Sequence, residues 1–134
     1  MRKTLSERVI YEPKLSEEHI IRQIMDMLAL NHIVVYRSVE RIPPRNAYGK
    51  ITGRCQTPGL PDLQGIAILR IEKGVDDILP FWIEVKGPAG HLRPAQEAFL
   101  KQYQAFGLCA FMARSWEEVK ESLSKRGVKF KVGG

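Results

Sequence analysis

Two short stretches of this chain place acids and a base where they can do chemistry together: Pro61-Asp62, and further on Glu84-Val85-Lys86. Both adjoin apolar, β-branched runs that read as strands. Side chains of a strand alternate between its faces, so Glu84 and Lys86 share one face and Val85 takes the other. If Asp62 opens the strand that pairs with Glu84's, two carboxylates converge. Oxygen donors in small number, with waters left over, are what Mg²⁺ takes, and Mn²⁺ is expected to substitute. The carbonyl of Val85 offers a further oxygen, and Glu17, in the first turn of the first helix, is a candidate third carboxylate. A metal held this way polarises a phosphodiester oxygen and lowers the pKa of a bound water. Lys86 can orient or help deprotonate that water, or stabilise charge developing on phosphorus. Each residue alone has a plainer explanation: a turn for Asp62, an exposed ion pair for Glu84 and Lys86, the helix dipole for Glu17 and Glu18.

The elements that must position these groups follow from pattern. Ser16 is an N-cap, with Leu15 and Ile20 as a hydrophobic staple. Ile20, Ile21, Ile24, Met27 and Leu28 recur at helical spacing, which predicts a helix over 17–30. The run 32–36 (HIVVY) predicts a strand, 62–70 (DLQGIAILR) a second and 80–86 (PFWIEVK) a third; the polar 72–77 between the last two reads as a hairpin turn. Asp76 and Asp77 are therefore expected as turn residues. GPAG at 87–90 breaks the strand, and Pro94 suits the first position of a helix ending near Phe106 and Gly107. LCAFM at 108–112 is a fourth strand. Ser115 to Glu118 is a capping box opening a last helix that ends near Gly127, and 128–132 alternates as a short edge strand or a tail. The order α-β-β-β-α-β-α predicts an α/β domain with a mixed central sheet. Trp82 shares a face with Glu84 and is expected to pack in the core.

At 134 residues and 44% hydrophobic, the chain suits one domain: an arm over 1–14, a core over 15–127 and a tail over 128–134. No apolar run approaches the roughly 20 residues of a membrane span, and no apolar stretch follows the basic N-terminus as in a secretory signal. A cytoplasmic protein is expected. Cys55 and Cys109 form no metal-ligand pattern; both read as free thiols, Cys109 in the core. The net charge of +6 favours a polyanionic partner. Between Arg37 and Arg54 five basic residues (Arg37, Arg41, Arg45, Lys50, Arg54) face one acid, Glu40, in a long Pro/Gly-rich stretch leading into Asp62. Arg37, Arg45, Lys50 and Arg54 are the phosphate-contact candidates, with His91 as a loop contact rather than a general base. A second basic cluster, from Lys120 to Lys131, reads as a solvated surface.

GLPDL at 59–63, a hairpin, then FWIEVKGPAGHLRPAQEAFL at 81–100 resembles the PD-(D/E)XK nucleases, and more specifically their VRR-NUC (virus-type replication-repair nuclease) branch. The matching positions are Gly59, Pro61, Asp62 and Leu63, then Glu84, Val85 and Lys86, then Gly90, Leu92, Pro94 and Gln96. SEEHIIRQIMDML resembles the family's first helix and FGLCAFMARSWEEV its closing strand and helix, so the likeness spans roughly 15–124. The resemblance implies that Glu17 (in preference to Glu18), Asp62 and Glu84 bind metal, that Lys86 is the catalytic lysine, and that Gln96 supports the site from the next helix. Arg93 departs from the pattern, standing where the family often has a Ser or Thr cap, and adds a phosphate-binding candidate.

These readings converge on a metal-dependent endonuclease that hydrolyses DNA phosphodiester bonds, with no small-molecule cofactor besides the metal. The resemblance implies a homodimer and a phage or prophage setting. A two-fold dimer suits a two-fold substrate such as a four-way (Holliday) junction. The alternatives are nicking, flap or duplex cleavage on the same fold, and a DNA-binding module without activity. The arm and the apolar residues of the first helix are the candidate dimer surfaces.

Overall fold

Three helices and four strands follow one another in the computed structural model as α1 (Glu17–Leu30), β1 (Val34–Arg37), β2 (Leu63–Glu72), β3 (Val75–Val85), α2 (Pro94–Ala105), β4 (Cys109–Ala113) and α3 (Trp116–Ser124). The described residues are 16–38, 47–50, 58–72 and 75–132. The arm, Leu15, Arg41, Arg45, Arg54 and Cys55 lie outside them. The strands form one sheet in the order β1-β2-β3-β4. The first three are antiparallel and β4 joins β3 in parallel, so the sheet is mixed. The parallel step needs a crossover, and α2 supplies it.

Alternation sorts the sheet into two faces. Leu63, Ala67, Phe81, Ile83, Val85, Cys109 and Ala113 point to one side, where Ile20, Ile21, Ile24 and Leu28 of α1 and Trp116, Val119 and Leu123 of α3 close over them. The four α1 residues are fully engaged in the core, so they form no dimer surface. Cys109 is buried there, and burial pushes its thiol pKa up, as suits an unreactive core residue. On the opposite face α2 covers the end of the sheet near Glu84. Trp82 meets Tyr103 edge-on at 4.9 Å, and Tyr103 stacks on Phe99. Beyond α2, Val34, Tyr36, Ile66, Ile68 and Ile78 on that face are exposed.

Local chemistry sets the boundaries. The Ser16 side chain accepts from the His19 amide at 3.2 Å. Ser115 accepts from the Glu118 amide at 3.2 Å, while the Glu118 carboxylate reaches one residue further back than a capping box requires, to the Arg114 amide. The β2–β3 hairpin is longer than the apolar pattern shows. Asp76 and Asp77 are strand residues, registered against Ile71 and Arg70, and not turn residues. The backbone ladder runs on through Arg70 with Asp77 and Glu72 with Val75, beyond the regular alternation that marks the two strands. The alternating segment 128–132 forms no strand. It is fastened to the end of α1 instead: Asn31 Oδ1 accepts from the amides of Lys131 and Val132 at 2.8 and 2.9 Å, and Asn31 Nδ2 donates to the Met27 and Val132 carbonyls.

Candidate active site

β2 and β3 bring the two acids together at one end of the sheet. Leu63 pairs with Ile83, so the next pair outward is Asp62 with Glu84. At this last rung the backbone ladder is replaced by a side chain: Asp62 Oδ2 accepts from the Val85 amide at 2.8 Å. That bond fixes the Asp62 carboxylate against β3. The outer edge of β2 is tied as well, since the Asp62 carbonyl accepts from the Ser38 amide at 2.8 Å.

Glu84 is only 2% exposed, yet it carries an acid. Its Oε1 takes two donors, Lys86 Nζ at 3.2 Å and Gln96 Nε2 at 3.0 Å. Its Oε2 is buried with no hydrogen-bond partner. Burial, then the neighbouring Asp62 charge, raises the Glu84 pKa from 4.5 to about 7, against the opposing pull of Lys86. Lys86 is itself 7% exposed. An ion pair this deep adds little to folding stability by itself, because desolvating both charges offsets their attraction. An orphaned carboxylate oxygen beside a second carboxylate is costlier still, unless a proton or a cation completes it.

Gln96 is held for its task. Arg93 occupies the N-cap of α2, where an arginine side chain has no acceptor to offer the helix amides. Gln96 Oε1 accepts from the Arg93 amide at 2.9 Å, which leaves Nε2 aimed at Glu84. The start of α2 is also pressed against the loop before Asp62. Gly59 has φ +77°, and a Cβ there would lie 2.2 Å from the Ala95 carbonyl oxygen. Only glycine fits, so the Gly59-Leu60-Pro61-Asp62 approach and the Gln96 turn are locked together.

The remaining candidates fall at varying distance from this centre. Val85 sends its side chain into the core between Glu84 and Lys86. Glu17 is exposed at the start of α1, its amide 3.9 Å from where a Cβ on Gly87 would stand, so it borders the turn that follows Lys86. Among the described residues no three acidic, His or Cys side chains gather as a metal group, so Asp62 and Glu84 meet without Glu17. Glu18 is engaged elsewhere: Arg37 holds it with two bonds at 2.7 and 3.0 Å, and Arg22 adds a third. Arg37 thus stands between α1 and the Asp62 end of the sheet, feeling both acids. His91 and Arg93 are exposed in the turn before α2 and at its cap, and Lys50 is exposed in the short stretch 47–50.

Sequence reasoning missed two supports. Arg114 Nη1 donates to the Gly87 carbonyl at 2.6 Å, tying the end of β4 to the turn after Lys86. Ser38 was invisible because its partnership with Asp62 exists only through strand register. No protein-family model, curated protein or solved structure matches the chain. No helix among the described residues is long and apolar enough to cross a membrane.

Proposed function

We propose that the chain is a divalent-metal-dependent nuclease that hydrolyses DNA phosphodiester bonds at Asp62, Glu84 and Lys86. The observation that carries this reading is Glu84 Oε2, buried and unpartnered beside the Asp62 carboxylate while a buried lysine holds the other oxygen. The donor chemistry fits Mg²⁺ or Mn²⁺, which need one or two carboxylates and keep several waters. Bound there, such a cation polarises a phosphoryl oxygen and supplies an activated water.

The chain's own groups do the rest. Asp62, clamped by the Val85 amide, and Glu84, clamped by Gln96, present their oxygens without having to reorganise. Lys86 keeps its ammonium at the same spot, where it can stabilise negative charge growing on the phosphate or orient the attacking water. With the carboxylates uncompensated, the site repels a polyanion, so DNA binding and metal binding support each other. Arg37, Lys50, His91 and Arg93 are the described candidates for flanking phosphates, and the net charge of +6 favours their long-range attraction to DNA. The likeness of GLPDL and IEVKGPAGHLRPAQ to the VRR-NUC branch, and the α/β architecture with a mixed sheet, are both compatible with a PD-(D/E)XK core. The narrower form of the proposal is a homodimer acting on branched DNA.

Cleavage of labelled four-way junction, flap and linear duplex with Mg²⁺ or Mn²⁺ tests it, comparing wild type with Lys86→Ala and Asp62→Ala. The expected result is metal-dependent cutting by wild type, and DNA binding without cutting by both variants. Cutting without preference for junctions, by a monomer, would leave the nuclease and remove the junction. Binding without any cutting under either metal would replace the proposal with a DNA-binding module.

A further inference from the structure

Ser38 carries the second orphaned oxygen near Asp62. The β1–β2 register runs Val34 with Ile66 to Arg37 with Leu63, and continues one step to Ser38 with Asp62 through the 2.8 Å amide bond. The β2–β3 register continues in the same way from Leu63 with Ile83 to Asp62 with Glu84. Ser38, Asp62 and Glu84 therefore form one rung across three strands. Alternation puts all three on the face opposite Leu63, Ile83 and Val85. Facing residues on such a rung stand about 5 Å apart at Cβ.

Three buried side-chain atoms among the described residues have no hydrogen-bond partner: Ser38 Oγ, Glu84 Oε2 and Trp116 Nε1. The indole lies across the sheet, on α3, edge-on to Phe130. The other two flank Asp62 on a single rung. Buried hydroxyls nearly always find a partner, and leaving one without costs stability. Two such oxygens on either side of a carboxylate point to one missing guest that satisfies both.

We propose that Ser38 is the third oxygen of the metal site: its hydroxyl accepts a hydrogen bond from the water shell of the cation that Asp62 and Glu84 bind. The inference rests on the metal-site reading above. It gives a role to a residue outside every motif of the sequence. Metal-bound waters are strong donors, and a serine hydroxyl has two lone pairs to receive them. Such a contact orders the water shell without adding charge, which suits a site that already holds two acids and must admit a polyanion.

The test is Mn²⁺ titration of the full chain without DNA, followed by electron paramagnetic resonance, on wild type, Ser38→Ala, Ser38→Thr and Glu84→Gln. One lost hydrogen bond predicts about 3- to 10-fold weaker Mn²⁺ binding for Ser38→Ala. Ser38→Thr, which keeps the hydroxyl at a strand position, should bind within about twofold of wild type. Metal-free Ser38→Ala should melt at or above the wild-type temperature, because the removed hydroxyl had no partner. Unchanged Mn²⁺ affinity in Ser38→Ala, equal losses in both Ser38 variants, or a metal-free Ser38→Ala that melts lower would each overturn the role of Ser38. Those outcomes leave the metal site standing as long as Glu84→Gln loses the ion. If wild type and Glu84→Gln bind Mn²⁺ alike, the metal site itself is wrong and this inference falls with it.

Discussion

Replacing Glu84 by Gln gives a test that reads the buried carboxylate directly, before any catalysis. In the folded chain burial and Asp62 raise the Glu84 pKa from 4.5 to about 7. An acid whose folded pKa lies above its unfolded one binds its proton more tightly in the fold. Between pH 4.5 and 7 the folded state then holds more protons, so stability falls as pH rises. The slope reaches at most about 1.36 kcal/mol per pH unit, and the whole window is worth about 3 kcal/mol. Glu84→Gln cannot titrate there. Its stability relative to metal-free wild type should therefore climb by about 3 kcal/mol from pH 4.5 to 8. The absolute offset between the two proteins includes the packing and hydrogen bonds changed at the substituted side chain. The strengthening of the Lys86 pair as Glu84 ionises is already contained in the Glu84 pKa, so the pH dependence is read without correcting for the offset. Urea unfolding in chelator, at half-unit steps of pH, measures the difference. Adding Mn²⁺ should reverse the wild-type trend, because a cation competes with the proton for the same oxygens and binds more tightly as pH rises through 7. Parallel pH curves for the two proteins in chelator would refute the argument: Glu84 would then titrate as an ordinary carboxylate, and its burial would say nothing about a missing cation.

Two further outcomes follow from the supports of the site. Gly59→Ala meets both a positive φ and the Ala95 carbonyl, and should destabilise the fold by more than about 2 kcal/mol in urea. It should also weaken Mn²⁺ binding, as the Gln96 turn is displaced; a neutral substitution would show that α2 is not locked to the Asp62 loop. Glu18→Gln releases Arg37 from its two-bond pair, and should raise DNA affinity and steepen the dependence of log K on log salt by about one. An unchanged salt slope would remove Arg37 from the DNA-binding surface.

The elements that carry strong local signals were legible in the chain. Ser16 with the Ile20, Ile21, Ile24 and Leu28 repeat predicted α1 at its observed bounds, and Pro94 the start of α2. Asp62, Glu84 and Lys86 were legible as a set, because each stands at or beside the end of a strand whose faces are implied by alternation; Gln96 entered only through the resemblance to the VRR-NUC branch. What escaped was non-local or pattern-free. The hairpin continues through Asp76 and Asp77, beyond the regular alternation that marks its strands. The tail alternates like a strand but forms none, and Asn31 fastens it over a separation of a hundred residues. The engagement of Glu18 by Arg37 depends on α1 lying beside the end of β1, which no spacing within either element reveals.

The chemistry and the sheet register are one problem in this protein. A slip of one residue between β2 and β3 would turn Glu84 and Lys86 into the core and expose Ile83 and Val85. Two features oppose it. Gly65 faces Phe81, and a Cβ at Gly65 would stand 2.5 Å from the Phe81 ring and 2.1 Å from the Val34 carbonyl oxygen, so β1, β2 and β3 interlock only with glycine at this position. At the far end, Asp62 Oδ2 takes the Val85 amide that a backbone carbonyl would otherwise accept. The same carboxylate that closes the ladder is thereby delivered beside Glu84. Asp62 is thus a structural residue and a candidate ligand at once, and its loss should disturb both roles. Removing only its charge, by Asp62→Asn, keeps an oxygen for the Val85 amide and isolates the part that concerns the metal.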